Sequence, residues 1–280
     1  TGFGIRMQFG HSRRKSTLGI LMNLAELIYT STVRKVRQSH GNAIMALAMS
    51  MLQAILFIVA FYFMFTVLGT RGMAIRGDFL IYLVTGIFLY LTHIKALGAV
   101  MGAEGPTSAM MLHAPMNTIV AIVSSALSAL YIQTLSLCVI LLGIHTIFDG
   151  LVIHDWSGVI FMYLLSWASG CAVGLIFMTL KPWFPDLIGI LQSVYTRANM
   201  IASGKMFVAN SLPAMMLPWF TWNPLFHLID QARGFAFNNY FPHHTNWHYP
   251  IYFTIALVML GLMGDFYTRK RVSASWTAGR

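Results

Sequence analysis

An arginine near the middle of the apolar segment 187–209 is the residue of this chain best suited to bind another molecule. A charged side chain at the centre of a membrane span costs roughly 2.5–3.5 kcal/mol, and such residues usually face a cavity or a partner instead of lipid. This residue, Arg197, is therefore a candidate for lining a conduit. Lys205 in the same segment is a second candidate, although a lysine near the end of a span also reaches the membrane surface along its flexible stem.

The same segment carries a polar stripe on a different side. Four polar residues recur at offsets of 0, 4, 7 and 11, the spacing of one face of an α-helix: Gln192, Thr196, Asn199 and Ser203. At 100° per residue, Arg197 lies roughly 140° from Gln192, so the charge is not on this stripe. The segment therefore has two sides that avoid lipid. One lines the conduit while the other packs, and the spacing leaves open which is which.

The stretch 221–235 has the pattern of an amphipathic helix. Asn223-Pro224 breaks the chain at its start, and the apolar residues that follow are spaced at offsets of 0, 3, 4 and 7. Asp230 and Arg233 lie three residues apart on the other side, where they can form an ion pair. The stretch is too polar to span a bilayer and too apolar to remain in water, which favours a helix whose apolar side meets lipid or the segment 187–209.

A second short helix is predicted within 102–115. Pro106 suits the first turn of a helix, and Pro115 disfavours helix at the residue before it, which leaves about two turns at 106–114. So short a helix is marginal alone, and its adaptable apolar side chains favour docking on a partner; the alternative is a loop tucked against the spans. The candidate partner-coupling residues are Pro106, Met110, Met111, Leu112 and His113.

Motifs for catalysis or metal binding are missing from the sequence. His243, His244 and His248 lie close together, but no carboxylate or cysteine joins them, which favours a polar loop over a metal site. There is no G-x-x-x-x-G-K-[ST] motif for ATP, and the eight acidic residues are scattered singly. We therefore predict that the chain is not an enzyme and binds no metal or cofactor directly.

The composition is that of an integral membrane protein. The 280 residues are 57% hydrophobic and only 9% charged, whereas soluble domains carry about 25% charged residues. The two cysteines lie inside apolar runs and indicate packing, not a disulfide framework.

Six segments are long and apolar enough to cross a core of roughly 30 Å. They lie near 43–68, 79–98, 116–147, 157–180, 187–209 and 250–267. The predicted fold class is an all-α integral membrane protein with six transmembrane helices and short outer-side helices before the last span. The chain 1–280 forms one domain: a basic segment with an interfacial helix at 1–42, the six-span bundle at 43–267 and a basic tail at 268–280.

The basic residues predict the orientation of these spans. With the N-terminus inside, the cytoplasmic segments hold 13 of the Lys and Arg residues and the outer segments hold three. Such an excess is a strong positive-inside signal, and it predicts that both termini are cytoplasmic. The net charge of +10 is concentrated at the two ends of the chain instead of in one soluble patch, so nucleic acid is not expected as a partner.

Two further helices are predicted to have particular neighbours. Residues 17–38 have the pattern of an amphipathic helix with one apolar side and one basic or polar side. This pattern favours a helix along the inner leaflet, next to anionic head groups, over a helix packed on the protein. Ser166, Gly170 and Gly174 in the fourth span form a small-xxx-small series that permits close helix approach. We interpret this series as ordinary packing and not as a dedicated dimer seam.

The chain contains the motifs Trp222-Asn223-Pro224-Leu225, His227-Leu228-Ile229-Asp230, Arg233, Phe184-Pro185-Asp186 and Gly174-Leu175-Ile176-Phe177. These motifs resemble those of the permeases of type-2 ABC exporters, and among them the branch for capsular polysaccharide and O-antigen. The resemblance covers the layout from interfacial helix through six spans to a basic tail.

The resemblance implies a homodimer in the inner membrane with a translocation path between the protomers. Two copies of a separate ABC ATPase, which bind ATP and Mg, would engage the helix 106–114, and 223–235 would be an outer-side helix with Asn223, Pro224, Asp230 and Arg233. Aromatic rings would stack on the sugars of a polysaccharide or glycolipid, and Arg197 would meet its acidic groups. The expected path residues are Tyr195, Arg197, Asn199, Lys205 and Trp222.

Two alternatives remain at this stage. The first is a type-2 ABC permease for a lipid, a drug or a small hydrophobic compound. The second is a membrane scaffold without transport activity. Secondary transport is less favoured because the sequence shows no inverted repeat and no paired broken helices.

Overall fold

The computed structural model describes residues 17–38, 42–67, 69, 75, 78–103, 118–147 and 152–278. Within these ranges the backbone forms helices joined by turns, with no strand. A single 3-10 turn at Ala209–Ser211 precedes the last three helices. The helices are α1 (Thr17–Gln38), α2 (Ala43–Val67), α3 (Phe79–Met101), α4 (Thr118–Ile147), α5 (Trp156–Leu180), α6 (Pro185–Ala202), α7 (Leu217–Phe220), α8 (Pro224–Ala236) and α9 (His248–Ala278).

Five of the helices are long and apolar enough to cross a membrane: α2, α3, α4, α5 and α9 up to Arg271. They coincide with five of the six predicted spans. The remaining segment forms α6, whose Gln192, Arg197 and Asn199 lower its hydropathy below that of the other five. The helix ends at Ala202, earlier than the predicted boundary at 209, because the chain turns at Gly204 with a φ of +73° that other residues rarely adopt.

The starts of the helices follow from local sequence. Asp78 caps α3 by accepting a hydrogen bond from the backbone N–H of Leu80 at 2.8 Å. Asp155 caps α5 in the same way, accepting from Ser157 at 2.9 Å and Gly158 at 3.3 Å. The Ser157 hydroxyl and these N–H groups lower the pKa of the Asp155 carboxyl, because they bind its charged form.

Helix α3 is the centre of the bundle. Every residue from 81 to 93 is buried, and the helix packs against α2, α4, α5 and α8. Large apolar side chains of α2, α4 and α9 point outward instead, among them Leu56, Leu142 and Met263. An outer surface of this kind is expected where helices face lipid.

The closest packing joins α3 to α5 along the small-residue series. The Ser166 hydroxyl donates to the Leu89 carbonyl at 2.7 Å. A Cβ added at Gly170 would lie 2.2 Å from the His93 carbonyl oxygen, and one at Gly174 would lie 2.6 Å from the Leu97 carbonyl oxygen. The series therefore packs within the chain, as the sequence predicted.

The two ends of the described chain are also helical. Helix α1 spans the predicted residues and packs on α4 and α2 through its buried Ser31 and Val36, while Met22 and Tyr29 are exposed. Its position along the inner leaflet remains a prediction. Helix α9 continues to Ala278, so the segment predicted as a tail from 268 begins as helix.

We predict that Gly170→Ala lowers the free energy of unfolding by about 2 kcal/mol, because the new methyl group overlaps the α3 backbone, which cannot move without opening the core. Thermal unfolding of the purified protein in detergent measures the change. Gly143→Ala in α4 is the matched control, since a Cβ there meets nothing within 4 Å. Equal melting temperatures for the two variants would contradict the close contact of α3 and α5.

Candidate functional site

The chain break before α8 is fixed by one asparagine. The Oδ1 atom of Asn223 accepts from the N–H of Leu225 at 3.0 Å and so caps the helix. Its Nδ2 donates to Asn199 Oδ1 at 2.9 Å and to the Ala202 carbonyl at 3.0 Å. Asn223 therefore joins the start of α8 to the last turn of α6.

Arg233 on α8 binds the loop that follows α6. Its Nη1 donates to the carbonyls of Gly204 at 2.8 Å and Phe207 at 2.7 Å, and its Nη2 donates to that of Lys205 at 2.6 Å. The guanidinium carbon lies 4.0 Å from the centre of the Tyr82 ring, and the residue is fully buried. One side chain thus satisfies three carbonyls of a buried loop that has no helical partners.

Asp230 on the same helix binds different segments. Its Oδ1 accepts from the N–H of Ala209 at 3.1 Å and the hydroxyl of Tyr240 at 2.5 Å. Its Oδ2 accepts from the hydroxyl of Thr245 at 2.7 Å. Burial and the Asp230 charge both raise the pKa of Tyr240, which keeps the phenol protonated as a donor.

The expected pairing of Asp230 with Arg233 is wrong for the part of the chain that the structure describes. No ion pair joins the two side chains there, and each binds the flanking segments by hydrogen bonds, with only Arg233 Nε left without a partner among the described residues. The apolar side of α8 also does not meet lipid. Leu225, Leu228 and Ile229 are fully buried, because α8 packs on α5 and α3.

His227 joins α8 to both neighbouring segments. Its Nε2 donates to the Thr221 carbonyl at 2.7 Å, and its Nδ1 accepts from the N–H of Asn246 at 3.1 Å. This pair of bonds requires the neutral ring with its proton on Nε2. Burial lowers the pKa of His227, and the Thr221 carbonyl and the Asp230 charge only partly offset that effect.

Lys205 lies inside the bundle and not at its surface. Lys205 is 2% exposed. Its Nζ lies 3.9, 4.7 and 5.1 Å from the ring centres of Tyr90, Phe57 and Phe61. Among the described residues, the ammonium has no hydrogen-bond partner. The three rings hold the cation instead, so the alternative in which this lysine reaches the membrane surface is wrong.

The polar stripe of α6 is its packed side. Asn199 is buried and binds Asn223, and the Tyr90 hydroxyl donates to the Thr196 carbonyl at 3.2 Å. Tyr195, one of the expected path residues, shares a hydrogen bond of 2.9 Å with Nε2 of His93. The structure therefore places Tyr195, Asn199 and Lys205 toward the interior of the protomer.

His93 is a polar residue of the site that the sequence analysis missed. It is fully buried in α3, and its Nδ1 lies 2.9 Å from the Ser169 hydroxyl of α5. Together with the bond to Tyr195, this links α3, α5 and α6 through one imidazole. A lone histidine inside an apolar span was the signal that could have identified it.

The opposite side of α6 is exposed along its length. Arg197 lies on this side, whose exposed apolar members are spaced at offsets of 0, 3, 7 and 14: Leu187, Ile190, Val194 and Ile201. Trp222, just before α8, is also exposed, and its Nε1 donates to the Trp219 carbonyl at 2.6 Å. Of the expected path residues, only Arg197 and Trp222 are therefore open to another molecule.

The structure tests neither the predicted coupling segment nor the predicted absence of a metal ion. The coupling segment with Pro106, Met110, Met111, Leu112 and His113 lies outside the described residues. The predicted absence of a metal stays a prediction, although the described part of the chain holds no group of three or more His, Cys, Asp and Glu side chains suited to a metal ion. One of the three clustered histidines, His243, contacts an amide: its Nδ1 lies 3.1 Å from the Nδ2 of Asn210.

The helices and apolar spans are those of a multi-pass membrane protein. The chain is similar to two Escherichia coli proteins, both named polysialic acid transport protein KpsM. Each is 22% identical over 185 residues, which cover 66% of this chain and 71% of the relative. No protein-family model matches the chain. The similarity supports the interpretation of the chain as a type-2 ABC permease.

We predict that Arg233→Met lowers the free energy of unfolding by about 3 kcal/mol, because the carbonyls of Lys205 and Phe207 lose their side-chain donor and that of Gly204 keeps only the N–H of Phe207. Hydrogen exchange should accelerate in the loop 203–211 before it does in α3. Arg34→Met on the exposed side of α1 is the control and should leave both quantities unchanged. Unaltered exchange in this loop would show that Arg233 does not hold it.

We also predict that acid destabilises the α8 region through His227. A lowered pKa in the folded state means that the unfolded chain binds the proton more readily, so stability is complete above about pH 6.5 and falls as the pH drops toward the folded pKa. Melting temperatures at pH 7.5 and 5.5 should therefore differ less in His227→Gln than in the wild type. His154→Gln, at an exposed site, should not change the difference. Equal differences in all three proteins would refute this role.

Proposed function

We propose that this chain is the membrane subunit of an ATP-driven exporter that moves a polysaccharide or glycolipid across the inner membrane. It works as a homodimer with two copies of a separate ABC ATPase, and both of its termini are cytoplasmic. Support comes from the similarity to the polysialic acid transport protein KpsM over 185 residues and from the motifs of 174–233.

The exposed side of α6 is the observation that carries the proposal. In a single protomer this side presents Arg197 between exposed apolar residues, and a charge that faces lipid is costly. A second copy of the chain removes that cost, because two α6 helices facing each other enclose a shared space lined by both arginines. Oligomers with two-fold symmetry commonly build a site from the same patch on each subunit.

The lining of that space suits an acidic sugar polymer. The Arg197 guanidinium forms bidentate hydrogen bonds with carboxylate or phosphate groups. Exposed Trp219 and Trp222 lie beyond the end of α6, where flat rings can stack on sugar rings. The buried contacts of α8 hold these tryptophans next to the end of α6.

The energy comes from the partner subunits. In the proposed mechanism, ATP and Mg bind to the ATPase and its two copies close. The helix at 106–114 transmits that closure to α3 and α4, which it connects. Since α6 is anchored mainly by polar contacts to α3 and α8, it can shift as a unit and change the width of the shared space.

We predict that Arg197→Ala reduces export of an acidic polymer about tenfold in cells, because one charge-assisted hydrogen bond is worth roughly 1.5–3 kcal/mol. Arg197→Lys should retain part of the activity. Ser193→Ala, one turn earlier on the same exposed side, is the control for helix packing. If Arg197→Ala folds normally and exports at the wild-type rate, the role of this arginine is refuted.

We further predict that replacing Met110, Met111 and Leu112 by aspartate abolishes co-purification with a P-loop ATPase, because buried charges disrupt an apolar contact. Aspartate at exposed Met215 and Met216, in the turn before α7 and outside the candidate spans, is the control for the general effect of added carboxylates. Retained binding in the 110–112 variant would contradict the coupling helix.

A further inference from the structure

A cleft of about 860 Å³ lies between α2, α3, α4 and α6, apart from the exposed side of α6. Its lining residues on α3, from 94 to 99, lie near the end of that helix, while those on α2 and α4 extend to the middle of those helices. Its size is in the range of sites that bind small organic molecules. The proposed topology puts this end on the cytoplasmic side.

Two deeply buried polar groups at the wall of the cleft lack partners. Gln133 of α4 is 2% exposed and Ser50 of α2 is 7% exposed, and both line the cleft. Among the described residues, no hydrogen bond reaches Gln133 Oε1 or Ser50 Oγ. Unsatisfied groups of this kind cost roughly 1–3 kcal/mol each, so the site favours an occupant that donates hydrogen bonds.

The cleft also carries one positive charge without a balancing carboxylate. Lys95 of α3 lines it, together with the amides of Gln53 and Gln192. No aspartate or glutamate is among its described lining residues. An anionic group is therefore the electrostatic complement of this site.

The remaining wall is predominantly hydrocarbon. Leu56 and other side chains of α2 line the cleft and are exposed on the outer surface of the bundle, where lipid is expected. An occupant can thus leave its apolar chains in the bilayer while its polar head enters the cleft.

We propose that this cleft binds the head of an anionic lipid that bears free hydroxyl groups. The phosphate lies at Lys95, and the head hydroxyls lie at Gln133 and Ser50, whose closed-off Oε1 and Oγ atoms accept from them once these side chains turn toward the cleft. The acyl chains follow α2 into the membrane. Phosphatidylglycerol has this chemistry, phosphatidylethanol has the same single phosphodiester charge without the free hydroxyl groups, and phosphatidylcholine has neither the net charge nor the hydroxyl groups.

Lipid binding to the purified chain, measured by native mass spectrometry without any ATPase, tests the proposal apart from the proposed transport. Phosphatidylglycerol should bind more tightly than phosphatidylethanol, and phosphatidylcholine most weakly. Lys95→Gln should weaken phosphatidylglycerol binding about fivefold, the effect of one lysine near an anionic head group. Gln133→Leu should weaken it by a similar factor.

Lys181→Gln is the matched control, since it removes an exposed lysine from the same end of the bundle. Equal losses in Lys95→Gln and Lys181→Gln would show general attraction to charge and overturn the site. Glycerol phosphate that binds as tightly as the lipid would overturn the role of the acyl chains. Unchanged lipid binding in Lys95→Gln would also overturn the proposed site. This holds whether or not the dimer fraction in the same spectra changes.

Discussion

The buried guanidinium of Arg233 is the contact on which the rest of the site depends. The loop 204–207 leaves α6 at a glycine with positive φ and enters the protein without helical hydrogen bonds. Three of its carbonyls are satisfied by one side chain from α8, which itself packs against Tyr82. A polar loop at this depth is stable only with such internal donors, because lipid offers none.

This constraint explains why one helix has two different sides. Asn223 and Arg233 fix the end of α6, while His93 and Tyr90 hold its middle. These contacts lie on the polar stripe, at Tyr195 beside it and in the loop after α6, so the opposite side with Arg197 is left open. The polar residues that make α6 a poor isolated span thus hold the helix on one side and leave Arg197 exposed on the other.

Sequence patterns predicted what depends on local spacing and average hydropathy. Five spans, the helix at 17–38, the Asn-Pro start of α8 and the packing of Ser166, Gly170 and Gly174 all follow from such patterns. The partners of Asp230, Arg233, Lys205 and His93 could not be predicted in this way. Each partner lies far away in the sequence or belongs to an irregular loop. An amphipathic pattern, in addition, does not distinguish a helix against lipid from one buried under polar loops.

The central claim is that transport requires both this chain and a separate ATPase. Its most direct test is transport by proteoliposomes that contain the purified chain with and without the ATPase. We expect polymer movement only when both components and MgATP are present, and no movement when an ion gradient is applied to the chain alone. Transport driven by the gradient in the absence of the ATPase would contradict the account.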